Sequence, residues 1–67
     1  MQPHEERVVK EQADLNEKIN KLNAFIGGDI FNGLPEEDRA LLEEQSRWMS
    51  AYSGVLRERI KRFKVEA

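Results

Sequence analysis

Apolar residues recur along two stretches of this chain with the spacing of helices that pack on a neighbour. In the first, Val8, Gln12, Leu15, Ile19, Leu22 and Ile26 follow one another in alternating steps of four and three. That spacing is the seam of one helix laid against another. Val9 and Phe25 widen the stripe, while Lys10, Asp14, Glu17 and Lys21 take the outer face. Pro3 suits a first turn, and the acids Glu5 and Glu6 suit the positive end of the helix dipole. Gly27 and Gly28 supply a stop, because glycine enters the left-handed region without steric cost. The pattern predicts a helix over about 4–26.

The second stretch opens at Pro35 with Glu36, Glu37 and Asp38, again a helix start. Its seam reads Leu42, Gln45, Met49, Tyr52, Leu56, Arg59 and Phe63, beside a row of Leu41, Trp48 and Val55 at seven-residue spacing. The basic residues Lys61, Arg62 and Lys64 favour the negative dipole end, so the helix is expected over about 35–64. Gly54 inside it costs up to about 1 kcal/mol against alanine; tolerance, or the close approach of a neighbouring helix or a ligand, would explain it. Between the helices, GGDIFNGL (27–34) is too apolar for a free linker, and a helical turn folding back over the closed end is expected there. The fold class is all-α: an antiparallel two-helix hairpin in a single domain, 1–67.

Composition changes this picture in one respect. A chain of 67 residues without cysteine falls below the roughly 70–80 residues at which one core gives a comfortable margin. Neither disulfides nor cysteine-ligated zinc can staple it. Association with further copies is the remaining device, and the hairpin has the surface for it. One helix–helix contact cannot cover both the seam and a row that contains a tryptophan. Val9, Leu41, Trp48, Val55 and Ile60 are therefore the expected interface of a homo-oligomeric helical bundle, since each large apolar side chain buried is worth about 1.5–3 kcal/mol. The N-terminus lacks an apolar signal core and no run approaches the roughly 18 residues of a membrane span. A cytoplasmic protein without membrane attachment is expected.

Polar residues in a seam cost stability unless they are paired. Folding the two seams at the loop brings Gln12 towards Tyr52, Arg7 and Glu11 towards Tyr52 and Arg59, and Lys18 towards Gln45. Internal pairing is one outcome: Glu11 with Arg7 or Arg59, and Tyr52 with Gln12, in a layer that fixes register. A ligand site is the other. Arginine and lysine hold phosphate oxygens, tyrosine stacks on a base, and glutamine or glutamate reads base edges. Arg7, Glu11, Lys18, Gln45, Tyr52 and Arg59 are the candidate ligand-binding residues.

Other chemistry is sparse. His4 stands alone near the start, and Ser46, Ser50 and Ser53 have no histidine–acid partner for a triad. The acids follow dipoles and outer faces without metal-ligand spacing, and GGDIFNG lacks the lysine of a phosphate-binding loop. An enzyme is not expected, nor a metal or cofactor. RERIKRFK (57–64) is basic, but a basic helix end is ordinary. The acids at 36–44 and the acidic overall balance argue against a dedicated nucleic-acid binder.

The pattern HEERVVKEQADLNEKINKLNAFI, followed by LPEEDRALLEEQSRWMSAYSGVLRERI, resembles a family of very small phage and prophage proteins described by relation to an open reading frame of a crAss-like phage. In size and architecture the chain is also similar to the anti-CBASS and anti-Thoeris sponges, helical-hairpin phage proteins that trap cyclic nucleotide signals between protomers without catalysis. The resemblance implies a phage-encoded anti-defence protein acting in the bacterial host cytoplasm. Its ligand would be a cyclic di- or trinucleotide or a cyclic ADP-ribose-type molecule. A structural or adaptor bundle that binds a host or phage protein is the alternative.

Overall fold

The computed structural model describes residues 2–66, with side chains described as far as Phe63. Lys64 of the basic last turn therefore has its side chain outside the described residues. The chain folds into three helices: α1 (Pro3–Phe25), α2 (Asp29–Asn32) and α3 (Glu36–Glu66). Among the described residues there is no strand, and no helix is long and apolar enough to cross a membrane. The two long helices lie side by side in opposite directions, giving a rod of 50 × 14 × 14 Å.

Each boundary has a local cause. At the start of α1 the backbone N–H of Gln2 donates to the Glu5 carboxylate (2.7 Å), while the Gln2 carbonyl accepts from the amides of Glu5 and Glu6. This reciprocal arrangement satisfies groups that a helix terminus leaves open. Gly27 ends the helix at φ +91°, a value that L side chains rarely adopt. α2 is the helical turn expected over the closed end. Its Phe31 is buried and meets the Phe25 ring edge-to-face at 6.3 Å. The Pro35 carbonyl then accepts from the Arg39 amide and opens α3.

The seam of α1 matches the sequence pattern: Val8 and Ile19 are buried, and Gln12, Leu15, Leu22 and Ile26 half-buried. The seam of α3 differs from it. The residues turned to α1 are Leu42, Ser46, Met49, Ser53, Leu56, Ile60 and Phe63, whereas Gln45, Tyr52 and Arg59 are exposed. Leu42, Met49, Leu56 and Phe63 belong to both readings; their companions stand on the other side. The physical reason is a pair of side-chain hydrogen bonds. Ser53 Oγ donates to Asn16 Oδ1 (2.7 Å) and Ser46 Oγ to Asn23 Oδ1 (2.6 Å). Small serines fit between the helices where glutamine and tyrosine would hold them apart. Ser53, 3% exposed, is thereby buried with its hydroxyl satisfied. Ile60 consequently leaves the expected oligomer row and is half-buried in the seam.

The ends of the rod are pinned by rings. At the open end His4 stands edge-to-face on Phe63, centroids 6.3 Å apart, so the lone histidine packs on the opposite helix. Midway, Gln12 Nε2 donates to the Ser53 carbonyl (3.4 Å). Gly54 faces open space: a Cβ built there meets nothing within 4 Å.

Two substitutions test this packing by urea unfolding, followed by circular dichroism at one fixed protein concentration. Leu56→Ala removes a side chain that is 0% exposed and is expected to cost about 2–5 kcal/mol. Gly54→Ala adds a methyl group where there is room and is expected to stabilise by up to about 1 kcal/mol.

Candidate functional site

One stripe of α1 beside the seam is almost entirely charged. Arg7, Glu11, Asp14 and Lys18 follow the four-three-four spacing of the seam residues Val8, Gln12, Leu15 and Ile19, displaced by one position. They therefore form a continuous row along one edge of the helix. Tyr52 of α3 reaches across to this row and its phenol donates a hydrogen bond to the Glu11 carboxylate. A groove of about 350 Å³ opens there, lined by Arg7, Lys10, Glu11, Asp14, Leu15, Lys18 and Tyr52.

Four of the six sequence-derived candidates, Arg7, Glu11, Lys18 and Tyr52, line this groove. Arg59 stands close enough for its charge to act on the Tyr52 phenol without joining the lining. Gln45 lies outside, its amide directed to Met49 Sδ at 3.7 Å. Lys10 and Asp14, read from the sequence as outer-face residues, belong to the groove. The repeat of the seam spacing one position earlier, in charged residues, is the signal that could have placed Asp14.

The charges in the groove are poorly neutralised from within. Arg7 and Glu11 stand four apart, as do Asp14 and Lys18, the usual spacing of helical ion pairs. The ion pairs among the described residues are elsewhere, Lys21–Glu17 at 3.3 Å and Lys61–Glu58 at 3.5 Å. Glu11 takes Tyr52 as its partner, and Gln12 takes the Ser53 backbone. The internal pairs that the seam pattern allowed, Glu11 with Arg7 or Arg59 and Tyr52 with Gln12, are thus replaced by others. Arg7, Lys10 and Lys18 are left facing the groove. Such a site offers cationic N–H donors for an anion, an aromatic face, and carboxylates that accept from hydroxyls or amino groups. Among the described residues no three of His, Asp and Glu gather where a metal ion could sit.

The fold and the groove define a small all-helical chain whose chemistry-bearing residues collect on one edge of the α1–α3 pair. A family model described as Sequestin matches residues 2–62, and the chain belongs to that family. No match appears among the curated proteins or among the solved structures.

The Tyr52–Glu11 bond has a measurable signature. The bond to the Glu11 carboxylate raises the Tyr52 pKa above its ordinary value near 10; partial burial and the Glu11 charge add to this, and the Arg59 charge opposes it. A raised folded-state value means that the bond's stabilisation is present below pH 10 and lost as the pH rises through the folded pKa. Tyr52 is the only tyrosine, so the ultraviolet absorbance of phenolate reports it alone. The midpoint is expected above that of a free tyrosine and should fall in Glu11→Gln. An unchanged midpoint in that variant would show that the bond does not form.

Proposed function

We propose that this chain is a non-catalytic, phage-encoded anti-defence protein that sequesters a cyclic nucleotide immune signal in pockets of a homo-oligomer, in the cytoplasm of the bacterial host. The observation that carries the reading is the groove in which Arg7, Lys10 and Lys18 stand beside Tyr52 without ion-pair partners of their own among the described residues. Three such cations suit a ligand with more than one phosphate, and arginine adds planar, two-pronged recognition. Tyr52 presents a ring face for a base, while Glu11 and Asp14 accept hydrogen bonds from sugar hydroxyls or exocyclic amines. Arg59 approaches from the Tyr52 side. Gln45, two turns before Tyr52 on the same edge, is the more distant contributor.

Two further considerations support sequestration. The volume of about 350 Å³ lies at the lower end of the roughly 300–1,000 Å³ usual for small-ligand pockets. A second protomer closing the groove would enlarge the contact with a dinucleotide. The family's name speaks of sequestering, a role that needs binding alone. Inhibition would then be stoichiometric, with the ligand released intact when the protein is denatured. A second reading, an adaptor that docks a host or phage protein, draws on the exposed Leu41, Trp48 and Val55.

A thermal-shift and calorimetric panel of cyclic di- and trinucleotides and cyclic ADP-ribose isomers separates the two. At least one member is expected to raise the melting temperature and to be recovered unchanged after heating. Arg7→Ala and Lys18→Ala should each weaken its binding about tenfold, the loss of one charge-assisted contact. Absence of binding across the panel by a folded protein would sink the ligand reading and leave the adaptor.

A further inference from the structure

α3 carries two seams of heptad spacing. The first faces α1. The second, Leu41, Gln45, Trp48, Tyr52, Val55, Arg59 and Arg62, follows steps of four and three along its whole length, and every one of these residues is exposed. Leu41 is 63% exposed, Trp48 65% and Val55 56%. A sustained row of this kind is the pattern of a helix with partners on two sides. The stripe is also graded along its length. It begins with Glu37 and Asp38, passes through the apolar middle with Glu44 at its margin, and ends on Arg59 and Arg62. The Trp48 indole N–H donates to Glu44 (3.2 Å), so the ring stands against the acidic half.

We propose that this stripe is a homodimer interface in which the α3 helices of two copies pack antiparallel about a two-fold axis between Trp48 and Tyr52. Antiparallel pairing sets the acidic start of each stripe against the basic end of the other, Asp38 and Glu37 beside the partner's Arg62 and Arg59. It sets Trp48 on the partner's Tyr52, Gln45 on the partner's Val55 and Leu41 on the stem of the partner's Arg59. Parallel pairing would oppose acid to acid and base to base. The surface is thus complementary to itself in one orientation, as an isologous interface must be. From residue 38 to residue 62 the stripe runs about 36 Å at 1.5 Å per residue, long enough for several heptads of contact. Tyr52 belongs both to this stripe and to the groove, so the partner's Trp48 would stand at the groove's rim and form its missing wall. The inference extends the homo-oligomer of the proposed function by naming its face, orientation and axis.

The test needs no ligand, so its outcome is independent of the nucleotide panel. Sedimentation of the full chain is expected to show a dimer that weakens as salt is raised. Trp48→Glu and, separately, Arg59→Glu/Arg62→Glu should sediment as monomers with their helical circular dichroism retained. The second variant alters only exposed side chains and so guards against loss of fold. Mixing Arg59→Glu/Arg62→Glu with Glu37→Lys/Asp38→Lys should restore a dimer, since each end again meets its opposite. The native chain lacks cysteine, so Leu41→Cys mixed with Arg59→Cys should give a disulfide between the two variants, and Leu41→Cys alone should give none. A native chain that sediments as a monomer or trimer, an Arg59→Glu/Arg62→Glu variant that stays dimeric, or self-linkage of Leu41→Cys would each overturn the proposal.

Discussion

The rotation of α3 about its own axis is the constraint on which the rest of the molecule depends. Two serines and two asparagines, each pair seven residues apart, set that rotation: Ser46 on Asn23 and Ser53 on Asn16. Each bond is modest on its own, about 0.5–1.5 kcal/mol net. Their selectivity comes from the alternative. Turning α3 to the alternative seam would bury Gln45, Tyr52 and Arg59 in place of Ser46, Ser53 and Ile60. Polar pairs at the seam whose partners are satisfied, with Ser53 itself buried, therefore fix a geometry that greasy contacts alone would leave loosely specified.

With α3 so turned, the polar and apolar features of the surface fall on one side of the pair. Tyr52 swings to the edge of α1 where Glu11, Asp14 and Lys18 lie, and the groove forms between them. Trp48 and Val55, one turn to either side of Tyr52, are carried out into solvent on the same edge. Val9, Asn16 and Asn23, at seven-residue spacing, lie on the other flank of the α1 seam. A charged groove and an apolar row thus stand side by side on the Tyr52 edge, and both follow from the choice of small residues inside the seam.

Much of this was legible in the sequence because Val, Ile and Leu carry most of the α1 seam, and α1 and α2 formed where glycine, proline and acidic first turns marked them. In α3 the apolar spacing marks Leu42, Met49, Leu56 and Phe63, which do face α1, and misses Ser46, Ser53 and Ile60. Two heptad rows one residue apart run down this helix, and the bulkier one carries the stronger hydrophobic signal. Choosing Gln45, Tyr52 and Arg59 over Ser46, Ser53 and Ile60 rotates the inferred face by about 50°, half the 100° between successive residues. Serine and asparagine carry no hydrophobic signal, so periodicity could not find them; only their seven-residue echo on both helices betrays the pairing. The approximate facing of Glu11 and Tyr52 survived because both stand on the flank of the seam.

The topology around α2 also has a kinetic meaning. Phe25 and Phe31 meet across six residues, Asn23 and Ser46 across 23, Asn16 and Ser53 across 37. His4 and Phe63, at the far end of the rod, span nearly the whole chain. Closing the largest loop first would carry the greatest entropic cost, whereas each contact made near α2 leaves only a short further segment to bring in for the next. By loop-closure cost the cheapest order of contacts is therefore a zip from the aromatic turn outwards. In that order the histidine–phenylalanine pair, which closes the largest loop, comes last.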